Sequence, residues 1–196
     1  MKRYLFILLT LLTSFTTYSD DPIDRIGVKG PLTFDKTIFK LSWTDKPGST
    51  YYVQEYLPEG ENLDHFNQML SIFLLIGDIK IEDAVQQKVQ ELETRKKTDE
   101  TCNYMVNQNP DTKEYMVDFI VGQANGNLME MQEFNIYRYK QVELSNGRKG
   151  ILVYAYSKRA YGNDITPFFK HLPKNRVAYL KTMVSAEMPI VSMDIK

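Results

Sequence analysis

The chain has 196 residues, a formal charge of −1, one cysteine and two histidines. That length can bury a self-sufficient core, while one cysteine and two histidines exclude a disulfide framework and give no zinc-ligand set. Lysine plus arginine number 24 against 25 aspartate plus glutamate, interspersed along the chain, so the electrostatic footprint of a nucleic-acid binder is missing.

The first 19 residues, MKRYLFILLTLLTSFTTYS, place Lys2 and Arg3 before an apolar stretch from Tyr4 to Leu12 and end in small polar residues. This three-part layout predicts a secretory signal peptide cleaved after Ser19. The apolar stretch is too short for a hydrocarbon core that needs roughly 20 residues. No cysteine stands near the cleavage point to accept lipid, so the expected product is a soluble periplasmic or secreted monomer without a membrane anchor. Removing Lys2 and Arg3 takes the formal charge from −1 to −3.

Residues 20–30, DDPIDRIGVKG, read as an extended lead-in, and residues 31–196 as a single domain. In KTIFKLSWTDK, Phe39, Leu41 and Trp43 alternate with Lys40, Ser42 and Thr44, the period of a half-buried strand. DKPGS then turns the chain into the strand TYYVQEY, giving an antiparallel hairpin. Pro58 and Gly60 end that strand, Asn62 reads as an N-cap, and Leu63, Phe66, Leu70 and Phe73 recur at helical spacing. A first helix is therefore expected here, with Glu59 and Glu61 at its positive end and His65 on its solvated side.

Ile81, Val85, Val89 and Leu92 predict a second, amphipathic helix whose basic end is Arg95, Lys96 and Lys97. Four strands follow, CNYMV, EYMVDFIVG, LMEMQEFNIYRYKQVEL and GILVYAYSKR, separated by turn-rich segments. Asn146-Gly147 reads as a type I′ hairpin turn. Pro167 opens a short helical piece that Pro173 interrupts, and Val177, Leu180 and Val184 mark a last helix. The order β-β-α-α-β-β-β-β-α gives an α+β fold, an antiparallel β-sheet flanked by helices.

That order resembles the α/β/α sandwich of the photosystem protein PsbP, whose members are mostly non-enzymatic binding or assembly proteins. EYLPEGENLDHFNQML, Glu55 to Leu70, and EFNIYRY, Glu133 to Tyr139, are similar to a family of small uncharacterised exported bacterial proteins. The resemblance implies the fold and export, and brings no assigned activity or functional residue.

For catalysis, no nucleophile motif, phosphate loop or dinucleotide fingerprint is present, so no catalytic residue, metal or cofactor is assigned. Acid/base chemistry would rest on strand carboxylates such as Glu55, Asp118 and Glu133. Cys102 is expected to be a buried, inert thiol. The candidate binding residues are Tyr137, Arg138, Tyr139, Tyr154 and Tyr156, because tyrosine and arginine give large contact area with a polar handle. The same tyrosines also suit strands that bind nothing. The expected function is an exported binding or accessory protein with a macromolecular partner in the cell envelope. A small-molecule or lipid carrier and a carboxylate-dependent hydrolase are the alternatives.

Overall fold

The computed structural model describes residues 22–192 apart from 29, 127 and 146; the expected signal peptide, residues 1–19, lies outside the described residues. Eight strands form one antiparallel sheet: β1 (Leu32–Phe34), β2 (Thr37–Asp45), β3 (Tyr51–Pro58), β4 (Gln68–Ile76), β5 (Asn103–Gln108), β6 (Tyr115–Asn125), β7 (Leu128–Glu143) and β8 (Lys149–Tyr161). Their spatial order is β1-β2-β3-β4-β8-β7-β6-β5. Helix α1 (Ile81–Arg95) packs on β6 and β7, and helix α2 (Ile165–Ser185) on β7 and β8.

Strand alternation decides which helix covers which residues. On β8, Leu152, Tyr154 and Tyr156 join the core with Met183 of α2, whereas Ile151 and Val153 join Ile81, Val85 and Leu92 of α1. The two helices therefore lie on opposite faces, and the expected α+β class with helices flanking an antiparallel sheet is what the chain adopts.

Four local expectations are corrected. The helix expected from Leu63 to Phe73 is a turn followed by β4. Asn62 does act as a cap, its Oδ1 accepting from the backbone N–H groups of Asp64 and His65, but the turn goes no further. Glu61 Oε2 then accepts from the N–H groups of Asn67 and Gln68, leading the chain into β4 instead of into a helix. The apolar run QMLSIFLLI belongs to a central strand covered on both faces, where continuous hydrophobicity replaces alternation.

Second, Trp43 does not share a face with Phe39 and Leu41. A β-bulge between Leu41 and Trp43 sets Leu41 opposite Tyr56 but Trp43 opposite Glu55, turning the indole to the α1 face. Third, Pro173 sits inside a continuous α2. It is exposed, so the carbonyl that loses its N–H partner is on the wet side, where water can satisfy it. Fourth, the β7–β8 connection is a three-residue loop closed by Leu144 and Arg148, with Gly147 at φ 75°, instead of a two-residue turn. Asn146 itself lies outside the described residues.

The lead-in also enters the core. Ile26 and Val28 are buried beside Phe34 and Tyr154, contrary to the expectation that residues before Pro31 stay outside it. Ser192 fastens this segment to the C-terminal tail, its N–H donating to Ile26 O and its Oγ to Gly27 O.

Candidate functional site

Of the five candidate binding residues, Arg138, Tyr154 and Tyr156 face α2, and Tyr137 and Tyr139 face α1. The register requires this division: Arg138 pairs with Tyr154 and Ile136 with Tyr156, while Tyr137 pairs with Ala155 and Tyr139 with Val153. Tyr154 and Tyr156 are core residues, Tyr156 stacking on Phe34 at 4.4 Å between ring centroids. Burial drives both phenols far above the ordinary tyrosine range.

Arg138 has a structural task. Its guanidinium pairs with Glu114 at 2.7 Å and donates to the carbonyls of Met183 and Ala186, each at 2.8 Å, at the C-terminal end of α2. A cation there meets carbonyls that have no helical partner and the negative end of the helix dipole. Arg176 fixes the middle of α2 in the same way, gripping the buried Asp118 of β6 through two bonds of 2.6 and 2.9 Å.

The carboxylates likewise do not converge. Asp118 is on the α2 face in that ion pair. Glu133 and Glu55 are on the α1 face, Glu133 bound to Arg159 and to the amide of Asn135. Ser157 donates to Asn135 Oδ1 at 2.6 Å, completing a buried polar chain with no free base at its end. Among the described residues no His, Cys, Asp and Glu group is placed to hold a metal ion. His65 stacks on Tyr161 from the 59–67 turn, and His171 is exposed on α2.

The basic cluster at the end of α1 is more than a solvated terminus. Arg95 binds Asp99 and donates to Gly122 O at 2.8 Å, and Lys96 pairs with Glu93 and lies over the Tyr104 ring. Cys102 is buried as expected, its Sγ 3.6 Å from Leu92 O, and burial pushes its thiol up.

Arg138 and Glu114 border an opening of about 370 Å³ beside the 107–111 turn, and a cleft of about 350 Å³ lies on the α1 face, between the helix and the sheet. Phe73, Val153, Tyr137 and Tyr139 form its floor, Gln87 and Lys88 part of its helical wall, and Tyr51 its far rim. It exists because α1 lies over β6 and β7, leaving the same face of β4 and β3 without a helix above it. The aromatic floor is continuous: Phe73 stacks on Tyr137 at 5.6 Å, and Phe119 meets Tyr137 edge-on at 5.1 Å.

The electrostatics of this cleft are uneven. Lys88 Nζ binds Glu91 at 2.5 Å and lies 5.4 Å from the Tyr137 ring centre. Arg159 is taken by Glu133 and stands over the Phe66 ring. Among the described residues no hydrogen bond or ion pair reaches the Glu55 carboxylate. Burial raises its pKa, Arg159 lowers it and Glu133 raises it. Burial, then Glu91 and Glu55, raise the Tyr51 phenol, so these groups sense one another across the cleft.

Two of the five residues chosen from sequence, Tyr137 and Tyr139, thus line the cleft. Phe73, Tyr51 and Lys88, which also line it, were not chosen, although period-2 alternation combined with a strand reading of residues 68–76 would have put Phe73 beside Tyr137. A larger cavity, of about 550 Å³, lies near the α2 face between Val28 or Leu32 and Met188 or Ile190. Its walls are the lead-in and the tail, and Tyr154 is the sole aromatic side chain lining it.

A protein-family model without an assigned activity matches residues 26–188, and the chain belongs to that uncharacterised family. The match begins at the first buried residue of the lead-in. No curated protein and no solved structure matches the chain.

Proposed function

From membership of this family and the geometry of the cleft, we propose that the protein is an exported, non-catalytic binding protein that engages a protein partner in the cell envelope through the cleft beside α1. The observation that carries the reading is the aromatic floor of Phe73 and Tyr137, both only partly buried, with the buried Tyr139 beside them. Aromatic side chains that are packed from below and open above provide contact area at low entropic cost. The absence of converging carboxylates and of any metal-ligand group among the described residues supports binding over hydrolysis.

A protein segment suits the cleft better than a free lipid or metabolite. Small-ligand sites enclose most of their ligand, whereas this cleft is open along its length above the sheet. Its volume of about 350 Å³ stands at the low end of the roughly 300–1,000 Å³ of small-ligand pockets. The helix, sheet and helix layering supports the likeness to the PsbP-type sandwich, and Lys2, Arg3 and the apolar stretch behind them support export. No helix among the described residues is long and apolar enough to cross a membrane.

The test is site-specific photo-crosslinking in the native host. A crosslinker at Gln87, in the cleft wall, is expected to capture one dominant envelope protein, while one at the exposed Lys170 of α2 captures none. Equal capture from both positions, or none from Gln87, would remove the cleft as the recognition surface. Export is read separately, by N-terminal sequencing of native protein, which is expected to start at or near Asp20; an intact Met1 would overturn it.

A further inference from the structure

Resting on that reading of the cleft, the geometry points to a basic side chain, lysine or arginine, as the group the partner inserts, with its alkyl stem on the aromatic floor and its charge at Glu55. The charge count around the cleft leaves this residue over. Lys88 and Glu91 pair within the cleft and Arg159 and Glu133 pair beside it, so two cations stand with three carboxylates and Glu55 is the one without an ion-pair partner among the described residues. An anionic or neutral group seated here would leave that half-buried carboxylate unpaired, which is unfavourable in a partly desolvated site.

Position agrees with charge. Across the sheet one row reads Trp43, Glu55, Ser71, Ala155, Tyr137. Opposed residues in such a row have Cβ atoms roughly 5 Å apart. Glu55 thus lies in the same row as Tyr137 but beyond the lining of the cleft, with the buried Ser71 and Ala155 between them and the half-exposed indole of Trp43 on its outer side. A cation reaching Glu55 from the cleft stands between Tyr137 and Trp43 along that row.

Aromatic rings on this side of the sheet, Tyr137 of the cleft among them, already receive cations. Lys88 Nζ stands 5.4 Å from the Tyr137 centroid and 5.9 Å from that of Phe119, and the Arg159 guanidinium carbon is 3.8 Å from the centroid of Phe66. The methylene stem of lysine or arginine suits an apolar floor with a polar end.

The experiment titrates the full chain with three capped pentapeptides that carry lysine, arginine or norleucine between flanking alanines. Trp43 is the chain's single tryptophan, so its emission reports directly on the Glu55 end of the row. Backbone amide shifts of Phe73 and Tyr137 report on the floor. Lysine and arginine peptides are expected to move both signals, with norleucine binding roughly 3- to 10-fold more weakly. E55Q, which removes no hydrogen bond or ion pair among the described residues, is expected to abolish that preference while leaving norleucine binding unchanged. Equal binding of lysine and norleucine, or a preference that survives E55Q, would overturn the inference and leave the cleft standing as a binding surface. Failure of all three peptides to perturb Trp43 and the floor would also overturn it, while the crosslinking result at Gln87 decides the broader reading independently.

Discussion

Arg138 shows how the same side chain reads differently alone and in its fold. In sequence it stands between two tyrosines and suggests a binding face; in the structure it joins Glu114 to three backbone carbonyls at the end of α2. R138M should therefore destabilise the protein by about 3 kcal/mol, because it leaves the buried Glu114 carboxylate with only Lys140, at 3.7 Å, and uncaps a helix. Urea denaturation checks this, and an unchanged midpoint would return Arg138 to the list of binding candidates. Glu55 behaves in the opposite sense. Burial raises its pKa in the folded state, so its contribution to stability is fully present below the unfolded carboxyl pKa and is lost as pH rises through the folded value. E55Q lacks that loss. Its melting temperature, compared with that of the native sequence, should gain on going from acid to neutral pH, and a constant difference across that range would contradict the assignment of a desolvated, unpaired carboxylate.

At the scale of elements, legibility followed the length and regularity of each pattern. The spacing of Ile81, Val85 and Leu92 placed α1, and the turn-rich segments between them placed the four late strands, even though β8 is buried on both faces. Residues 63–73 misled because Leu63, Phe66, Leu70 and Phe73 satisfy helical spacing by coincidence. In β4 the last two belong to opposite faces, Leu70 with the α2 core and Phe73 with the α1 core. A run that is apolar on both faces carries no period, and only its neighbours β3 and β8 decide that it is a strand. The cleft was partly hidden for the same reason: Phe73, one of its four floor residues, comes from that strand. The bulge that turns Trp43 toward Glu55 leaves no trace in the sequence at all. Pro173 gives the element-scale test. P173A restores a backbone donor on the exposed side of α2, and should stabilise the protein by about 1–2 kcal/mol after allowing for the greater freedom of the unfolded chain. A loss of stability on thermal denaturation would mean that the ring itself packs against something.

At the scale of the whole molecule, the two ends of the described chain close the α2 side of the core together. Ile26 and Val28 are buried among Phe34, Tyr52 and Tyr154, while Ala186, Met188 and Val191 of the tail pack against the same cluster. Gly27 makes the crossing possible: it has φ 67°, and a Cβ there would fall 2.5 Å from Ser192 Oγ. A domain taken to begin at Pro31 therefore omits part of its own core. Each large aliphatic side chain that becomes fully buried contributes about 1.5–3 kcal/mol, so residues 31–196 should be less stable than residues 20–196 by about 3–5 kcal/mol. The loss should appear as a lower urea midpoint, and the shorter chain should also expose Tyr154 to solvent, since Val28 and Leu32 border the cavity on which that ring opens. Cleavage after Ser19 would leave the whole lead-in on the mature protein, so the proposed export step and the core agree on where the functional chain must start. Equal stability of the two forms would show that the lead-in only rests on the core, and would detach the fold from the position of the cleavage site.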